Sequence, residues 1–383
     1  MSKRITKKVI CLLVALTLLF SLTACGSTPA GNTNDPSSTQ SSAKTPQNSE
    51  SSPAATEGTN VSSGFEGPTE PAKAPEKLKI AFVSASASLS GCIVPIEAME
   101  EICQRYGWEY QIFDGKGTPD VQNKSIMNAV SWGADAIVCV SILASAVQSG
   151  IQAANEANIP IGSASNGTDD PNPRLDLEYD FLYDIGPDYR GLGYAMAEWI
   201  RDNTTGSGKV VVYSCPGSYS VDYFEEGLLK GLKEMNITYS DGNKFTFEQL
   251  GDELNRMIIG YLTNNPDTEF VFLPFDPAAV SVVDGLESAG FTDVKVLGVL
   301  GNTEMCSLIS QDSIAAATAA YDNVYMGYAC MDQLIRLING QDLVKPRNEN
   351  LPYAIVDETN VPEEGQAWVP DYDYKESYFK LWD

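Results

Sequence analysis

The chain contains no histidine. That removes Ser-His-Asp and Cys-His hydrolysis, imidazole general-base chemistry and histidine-bound metals at one stroke. None of the eight cysteines stands in a C-x-x-C spacing, so zinc and thioredoxin-type readings fail as well. No phosphate-binding loop, nucleophile elbow or metal-ligand spacing occurs in the sequence. One dense acidic group remains: Asp169, Asp170, Asp176, Glu178 and Asp180. Its spacing is not that of an EF-hand loop, so a solvated acidic loop is expected in preference to a calcium site. What is left for chemistry is hydroxyls, amides and aromatic rings, which suit binding better than bond breaking.

The 383 residues carry 25 basic and 51 acidic side chains, a formal charge of −26. The first 24 residues hold Lys3, Arg4, Lys7, Lys8 and no acid, so without them the charge is −30. A body this acidic is repelled by phosphate backbones, and no nucleic-acid partner is expected. A hydrophobic content of 43% with 9% aromatics is enough for a packed core.

The four early cations are followed by an apolar run over residues 9–20, interrupted only by Thr17. It is short for a membrane span and has the size of a signal-peptide core. Leu22-Thr23-Ala24-Cys25-Gly26 then resembles a bacterial lipobox, in which the cysteine is lipidated and becomes the first mature residue. An ordinary cleaved signal with an incidental Cys25 is the alternative. Stable anchoring needs more than one acyl chain. The resemblance supplies a diacylglyceryl group together with an acyl chain such as palmitate. No other segment reaches 18 apolar residues, so the rest of the chain is expected outside the cytoplasmic membrane. Residues 1–24 are thus expected as a signal peptide and 25–76 as a lipidated cysteine plus a Ser-, Thr- and Pro-rich tether. Such a segment cannot bury enough surface to become ordered. A coil of about 51 residues would span on the order of 40 Å.

Strands and helices alternate through the body. Residues 78–83, 108–113, 136–140 and 159–161 read as strands. Helices are expected between them. The first repeats Ile93, Ile96, Met99, Ile102, Cys103 and Tyr106 at helical spacing up to Gly107, the second covers 120–132 up to Gly133, and the third covers 144–157. A second series follows, with helices at 188–203, 221–235, up to 263, and 277–289. Its strands fall at 209–213, 245–247, 270–273 and 294–299. Short links and right-handed crossovers then give parallel sheets covered on both faces, and two similar lobes. Strand C-termini should face one cleft. Cys139 lies in an apolar strand and is expected as a small core residue, while a Cys306–Cys330 disulfide is one option the spacing leaves open.

Several segments, in this order, resemble the type I periplasmic-type substrate-binding proteins of the ribose-binding group. Lys79-Ile80-Ala81-Phe82-Val83 opens the resemblance, and Ala153-Ala154-Asn155-Glu156-Ala157-Asn158-Ile159-Pro160-Ile161 is similar to the family's A-N-x-A-x-I-P-V segment. Gly191, Glu226-Gly227-Leu228, Val296-Leu297-Gly298-Val299, Ile314-Ala315-Ala316-Ala317-Thr318 and the stretch from Pro352 to Val361 match further family elements. The resemblance covers about residues 77–361. It implies two Rossmann-like α/β lobes with parallel sheets joined by a three-segment hinge. One lobe is expected at 77–187 plus 322–350, the other at 188–321 plus 351–361, and 362–383 as a tail on the lobe surface. It further implies a monomer without cofactor or catalytic activity. Such a protein closes on a small solute by hinge bending and presents it to an ABC permease. A receptor that only signals needs the same cleft, and a secreted enzyme or an adhesin is the more distant alternative.

The family's ligand positions carry over with losses. Its Asn and paired Phe after the first strand fall on the stretch from Ser88 through Leu89 to Cys92, and its Asp-Arg pair falls on Ser165-Asn166. An Arg falls on Phe224, an Asn on Phe275 with Asp276 retained, an Asp on Leu300 and the hinge Gln on Tyr321. Most charged hydroxyl partners are gone and three aromatics appear. The expected ligand therefore has a flat apolar face and fewer hydroxyls than a free sugar. Phe224, Phe275 and Tyr321 would supply stacking area, and Ser165, Asn166, Asn302 and the 84–90 loop, with Ser86 and Ser88, neutral hydrogen bonds. Plainer roles stand beside these. Asp276 before Pro277, and Asp188 ahead of Gly191, are also suited to capping helices, and Phe224 to a helix core.

Overall fold

The structure is a computed structural model that describes residues 64–167, 176–311 and 313–383. The signal peptide, Cys25 and most of the tether lie outside the described residues, as do Asp169 and Asp170 of the acidic group. Among the described residues no helix is long and apolar enough to cross a membrane.

The first sheet is built from β1 (Lys79–Ser84), β2 (Glu109–Asp114), β3 (Ala136–Val140), β4 (Ile161–Ala164) and β5 (Asp184–Ile185). Its order is β2-β1-β3-β4-β5 and all its pairs are parallel. β3 and β4 are buried throughout and β1 nearly so, as strands covered on both faces must be. The connecting helices are α1 (Ser90–Tyr106), α2 (Pro119–Trp132) and α3 (Gln148–Glu156). α1 and α2 end on Gly107 and Gly133 at φ 67° and 77°, a left-handed turn that glycine adopts without a Cβ penalty.

After β5 come α4 (Tyr189–Asn203), β6 (Lys209–Ser214), α5 (Tyr219–Glu234), β7 (Tyr239–Lys244), α6 (Asp252–Asn264), β8 (Thr268–Phe272), α7 (Asp276–Ser288), β9 (Lys295–Leu300), α8 (Thr303–Ser310) and β10 (Ala315–Tyr321). α9 (Asn323–Ile338) lies across α1, β4 and β5, whereas the next strand, β11 (Tyr353–Asp357), joins the second sheet. That sheet runs β11-β10-β9-β8-β6-β7, parallel except for β11, which pairs antiparallel with β10. The chain thus passes between the two α/β lobes three times: between β5 and α4, between β10 and α9, and between α9 and β11. One core cluster is continuous through these crossings, from Ile80 and Phe82 of the first sheet to Leu297 and Ala317 of the second.

Four sequence expectations change. The strand expected at 245–247 is β7, six residues earlier; its YSDGNK sequence is polar because it is an edge strand held to β6 by backbone pairing. Phe245 is buried just beyond it, and residues 247–249 form a 3-10 turn. The tether does not run to residue 76 as a free coil. Ala72 is fully buried, the Ala72 and Ala74 amides donate to the Leu381 and Trp382 carbonyls at 2.9 Å, and Phe65 meets Tyr378 edge-on at 5.0 Å. The final segment is not a surface tail. α10 (Tyr374–Trp382) buries Tyr378 and Trp382, and the Trp382 indole donates to Asp332 at 2.7 Å. These pieces form a strap and a clasp on α9, where the Arg336 guanidinium pairs with Asp332 and donates to the Glu70 carbonyl. Finally, Cys306 on α8 and Cys330 on α9 sit in opposite lobes as free, buried thiols, so no bridge joins them; Cys139 is a core residue.

Candidate functional site

The C-terminal ends of both sheets open on one cavity of about 360 Å³. From the first lobe, the loop after β1 brings Ser86 and Leu89, and α1 brings Gly91 and Cys92. α2 adds Gln122, the end of β3 adds Ser141, Leu143 and Ala146, and the end of β4 adds Ser165. From the second lobe, Tyr189 enters on α4, residues 215–218 after β6, Val221 and Phe224 on α5, and Phe247 after β7. Pro274 and Phe275 follow β8, Val299 and Leu300 end β9, and Tyr321 ends β10.

No Asp, Glu, Lys or Arg lines the cavity among the described residues. The polar groups are neutral hydroxyls, one amide and backbone. Phe275 packs obliquely on Phe247 at 5.5 Å and on Phe245 at 5.9 Å. Phe247 is 46% exposed and so has a free face to offer. The Tyr189 and Tyr321 rings meet edge-on at 5.6 Å beside the crossings. Burial pushes the Tyr321 hydroxyl above its ordinary range, so it stays protonated. Three non-glycine residues of the wall hold positive φ: Ser141 at 58°, Ser165 at 70° and Leu300 at 135°. Each lies at the end of a parallel strand, and strained backbone of this kind persists only where surrounding contacts over-determine it. Across the cavity the lobes touch: Ser145 and Tyr219 hydroxyls lie 2.8 Å apart, and Leu300 reaches to Gly91, where an added Cβ would stand 3.5 Å from Cδ2.

This architecture has a family. A model of the periplasmic binding protein domain matches residues 80–342. The chain belongs to the periplasmic binding protein family. Among curated proteins none matches the sequence. Solved structures share the fold. An ABC transporter solute binding protein from Mycobacterium smegmatis with bound glycerol is 20% identical, with TM-score 0.67 over 76% of this chain and 100% of that one. One from Agrobacterium vitis with bound allitol is 18% identical, TM-score 0.66, over 75% and 98%. A Caulobacter myo-inositol binding protein is 19% identical, TM-score 0.64, over 76% and 97%. The two lobes with parallel-dominated sheets are those of the type I solute-binding proteins.

In this periplasmic binding protein the cavity gathers Ser86, Leu89, Ser165, Phe224, Phe275, Leu300 and Tyr321 of the residues expected to bind ligand. Phe224 contributes least: it is 3% exposed and stacks on Phe272 at 5.3 Å, so most of its ring belongs to the core. Ser88, Asn166, Asp276 and Asn302 are outside the lining. The Ser88 hydroxyl is paired with Ser86 at 2.9 Å. The Asn166 amide donates to Ser163 and Asp184 behind the wall. Asn302 caps α8 through the Met305 amide. Asp276 is neither ligand-facing nor a helix cap; Phe275 is the N-cap of α7. Its buried carboxylate accepts from Thr318 Oγ1 at 2.7 Å and from the Asn302 amide at 2.8 Å, which ties down the turn carrying Leu300. Burial raises it to about 7, against the pull of those donors. Asp188 does cap α4, through the Gly191 amide.

Sequence reasoning missed Tyr189, Gln122, Ser141, Cys215 and Phe247 as wall residues. A signal existed for some. Ser141 directly follows a strand, and Tyr189 directly follows the cap of the first helix after a crossing.

Proposed function

We propose that this protein captures a small neutral solute with a flat apolar face between its lobes and closes on it by hinge bending. It then hands the solute to the permease of an ABC importer. The observation that carries this reading is the composition of the wall. Both lobes contribute, no charged side chain takes part among the described residues, and aromatic rings stand with scattered hydroxyls. An uncharged wall offers a charged solute nothing to offset its lost hydration. It also lacks the charged partners that commonly bracket the hydroxyls of a free sugar, while Phe275 and Phe247 give a flat ring a surface to lie on. Crossings of the chain beside the cavity suit closure. The molecules bound in three structural relatives, glycerol, allitol and myo-inositol, are neutral too. Among the described residues no paired carboxylates and no nucleophile with a base stand in the wall, which supports binding without catalysis.

A thermal-shift panel of free sugars, polyols, nucleosides and aryl glycosides tests the reading. Ring-bearing probes are expected to raise the melting temperature. Tight ribose or galactose binding without any ring-bearing hit would overturn it. Anchoring at the outer membrane face through lipidated Cys25 is part of the proposal. Cys25→Ser should release the protein from the membrane fraction, and its retention there would refute the anchor.

A further inference from the structure

Up to β11 the chain crosses between the lobes three times, and beyond β11 it crosses once more. β11 belongs to the second sheet, whereas α10 lies on α9 and α1 of the first lobe. The second lobe holds the near end of this passage. Val361 packs with the cores of that lobe, and Gln311 at the end of α8 donates to Glu364 at 3.3 Å. The Trp368 amide donates to the Gly301 carbonyl at 2.9 Å, and its side chain packs with the cluster of Cys306, Ala320, Ala354 and Val356. A Cβ added to Gly301 would stand 3.3 Å from the Trp368 Cβ. Trp368 thus lies directly against the turn that carries Leu300 into the cleft.

The first lobe holds the far end. Tyr374 is buried, with its ring 4.8 Å from Tyr325 and 6.0 Å from Tyr328 on α9. Its hydroxyl stands beside Asp322, the cap of α9, which sits in the second crossing. The passage is therefore fastened next to the hinge itself. α10 follows at once, with Tyr378 and Trp382 buried and Lys375 paired to Glu101 at 2.7 Å.

Between the anchors lie only Val369-Pro370-Asp371-Tyr372-Asp373. The six residue steps from Trp368 to Tyr374 span at most about 21 Å when fully stretched. The link contains no glycine, and Pro370 fixes its own φ and pushes Val369 towards extended backbone. Pro370 is buried and Tyr372 packs on the core, so the link is seated along its length. A rotation that carries Gly301 away from Tyr325 must stretch or unseat it.

We propose that residues 361–374 are a fourth hinge segment, which restrains how far the lobes open and ties the Leu300 turn to the first lobe. This restraint rests on the hinge bending of the proposed function and is independent of which solute is bound. Holding back wide excursions raises the share of lobe arrangements ready to close, which lowers the cost of capture.

Lengthening and cutting the link test the restraint. Asp120 and Glu248 are exposed and neighbour Pro119 and Phe247, which line the cavity from opposite lobes. Spin labels on keto amino acids at these two positions report the interlobe distance and leave the native thiols alone. Pulsed dipolar spectroscopy is run on the full-length chain in detergent without solute. The parent is compared with a chain carrying a Gly/Ser-flanked protease site after Val369, which is 54% exposed, before and after cutting. An insert of about ten residues adds a coil span of about 17 Å. The long-distance edge is expected to move out by several ångströms on insertion and at least as far on cutting. Trp368→Ala loosens the second-lobe anchor, leaves α10 seated and should move the edge the same way. The melting temperature of the lengthened chain should stay near the parent's, because both anchors keep their packing. If it falls by several degrees, α10 has come away, and Trp368→Ala alone decides. Distances that match the parent in every protein overturn the restraint, since the link is then slack. A move to shorter distances overturns it too, since the segment is then a prop. Neither result touches solute capture, which the thermal-shift panel reads separately.

Discussion

Asp276→Asn should make the protein more stable at neutral pH, and the size of the gain follows from the burial of one carboxyl group. Asp276 is fully buried with two hydrogen bonds and no ion pair, and its carboxyl is raised from 3.8 to about 7. Burial is the main cause; the Asn302 amide, the Thr318 hydroxyl and the Gly301 amide pull the other way, and Glu304 on α8 adds a little upward push. Folding therefore favours the protonated acid. The shift of roughly 3 units at 1.36 kcal/mol each corresponds to about 4 kcal/mol. The sign is fixed by the order of the two states. Below about pH 4 the group is protonated folded or unfolded and costs nothing. Between pH 4 and 7 the unfolded chain loses the proton first, and stability falls. Above about 7 the full cost is present. Asparagine mimics the protonated acid: its oxygen accepts from the Asn302 amide, and its nitrogen can donate to the Thr318 hydroxyl. In urea unfolding from pH 4.5 to 8, the variant should exceed the parent by about 1 kcal/mol at the acid end and by about 4 kcal/mol at the other. Subtracting the two curves removes every other titrating group. A gap that does not change with pH would refute the reasoning, whatever its size.

Glu269 should behave in the opposite sense. Burial raises it, but the amides of Thr205, Gly206 and Gly208 and the hydroxyls of Thr204 and Thr205 win and hold it at about 2. Glu269→Gln should cost about 2–3 kcal/mol in urea at pH 7, a contribution fully present above about pH 4.5 and lost as pH falls towards 2; a constant gap down to pH 2 would contradict it. Trp382→Ala should cost about 3–5 kcal/mol and speed proteolysis in residues 64–76, because the indole is 1% exposed and donates to Asp332. A loss under 0.5 kcal/mol would return α10 to the status of a surface tail. Gly91→Val should weaken the tightest probe at least tenfold with little change in ligand-free melting, since its methyls would meet Leu300 from the other lobe; unchanged affinity would mean the lobes need not approach there.

The central strands could be read from the sequence because a strand buried on both faces is a run of apolar residues, as at 80–83 and 136–140. Gly107 and Gly133 likewise announce helix ends through their own backbone freedom. β7 escaped because its order comes from pairing with β6, and its side chains say nothing apolar. The strap escaped for a related reason. Ala72 and Phe65 are isolated among polar residues, and what buries them is about 300 positions away on α10. In the cleft, Ser165, Phe275, Leu300 and Tyr321 came from the family resemblance, and each stands at or just past a strand end, where parallel sheets converge. The resemblance conveyed positions and not the directions of side chains. Asp276 turned inward because a backbone amide and a threonine were closer partners than any ligand. Tyr189 and Phe247 enter from elements that a strand-end search passes over.

The strap decides which half of the molecule is the stator. Residues 65–75 are fastened by main-chain bonds to α10, by side chains of Arg336, Gln341 and Trp108 to the first lobe, and at Glu66 by the Asn350 side chain in the third crossing. Among the described residues the strap's bonds go to the first lobe and to the third crossing, so the first lobe is the braced half of the molecule.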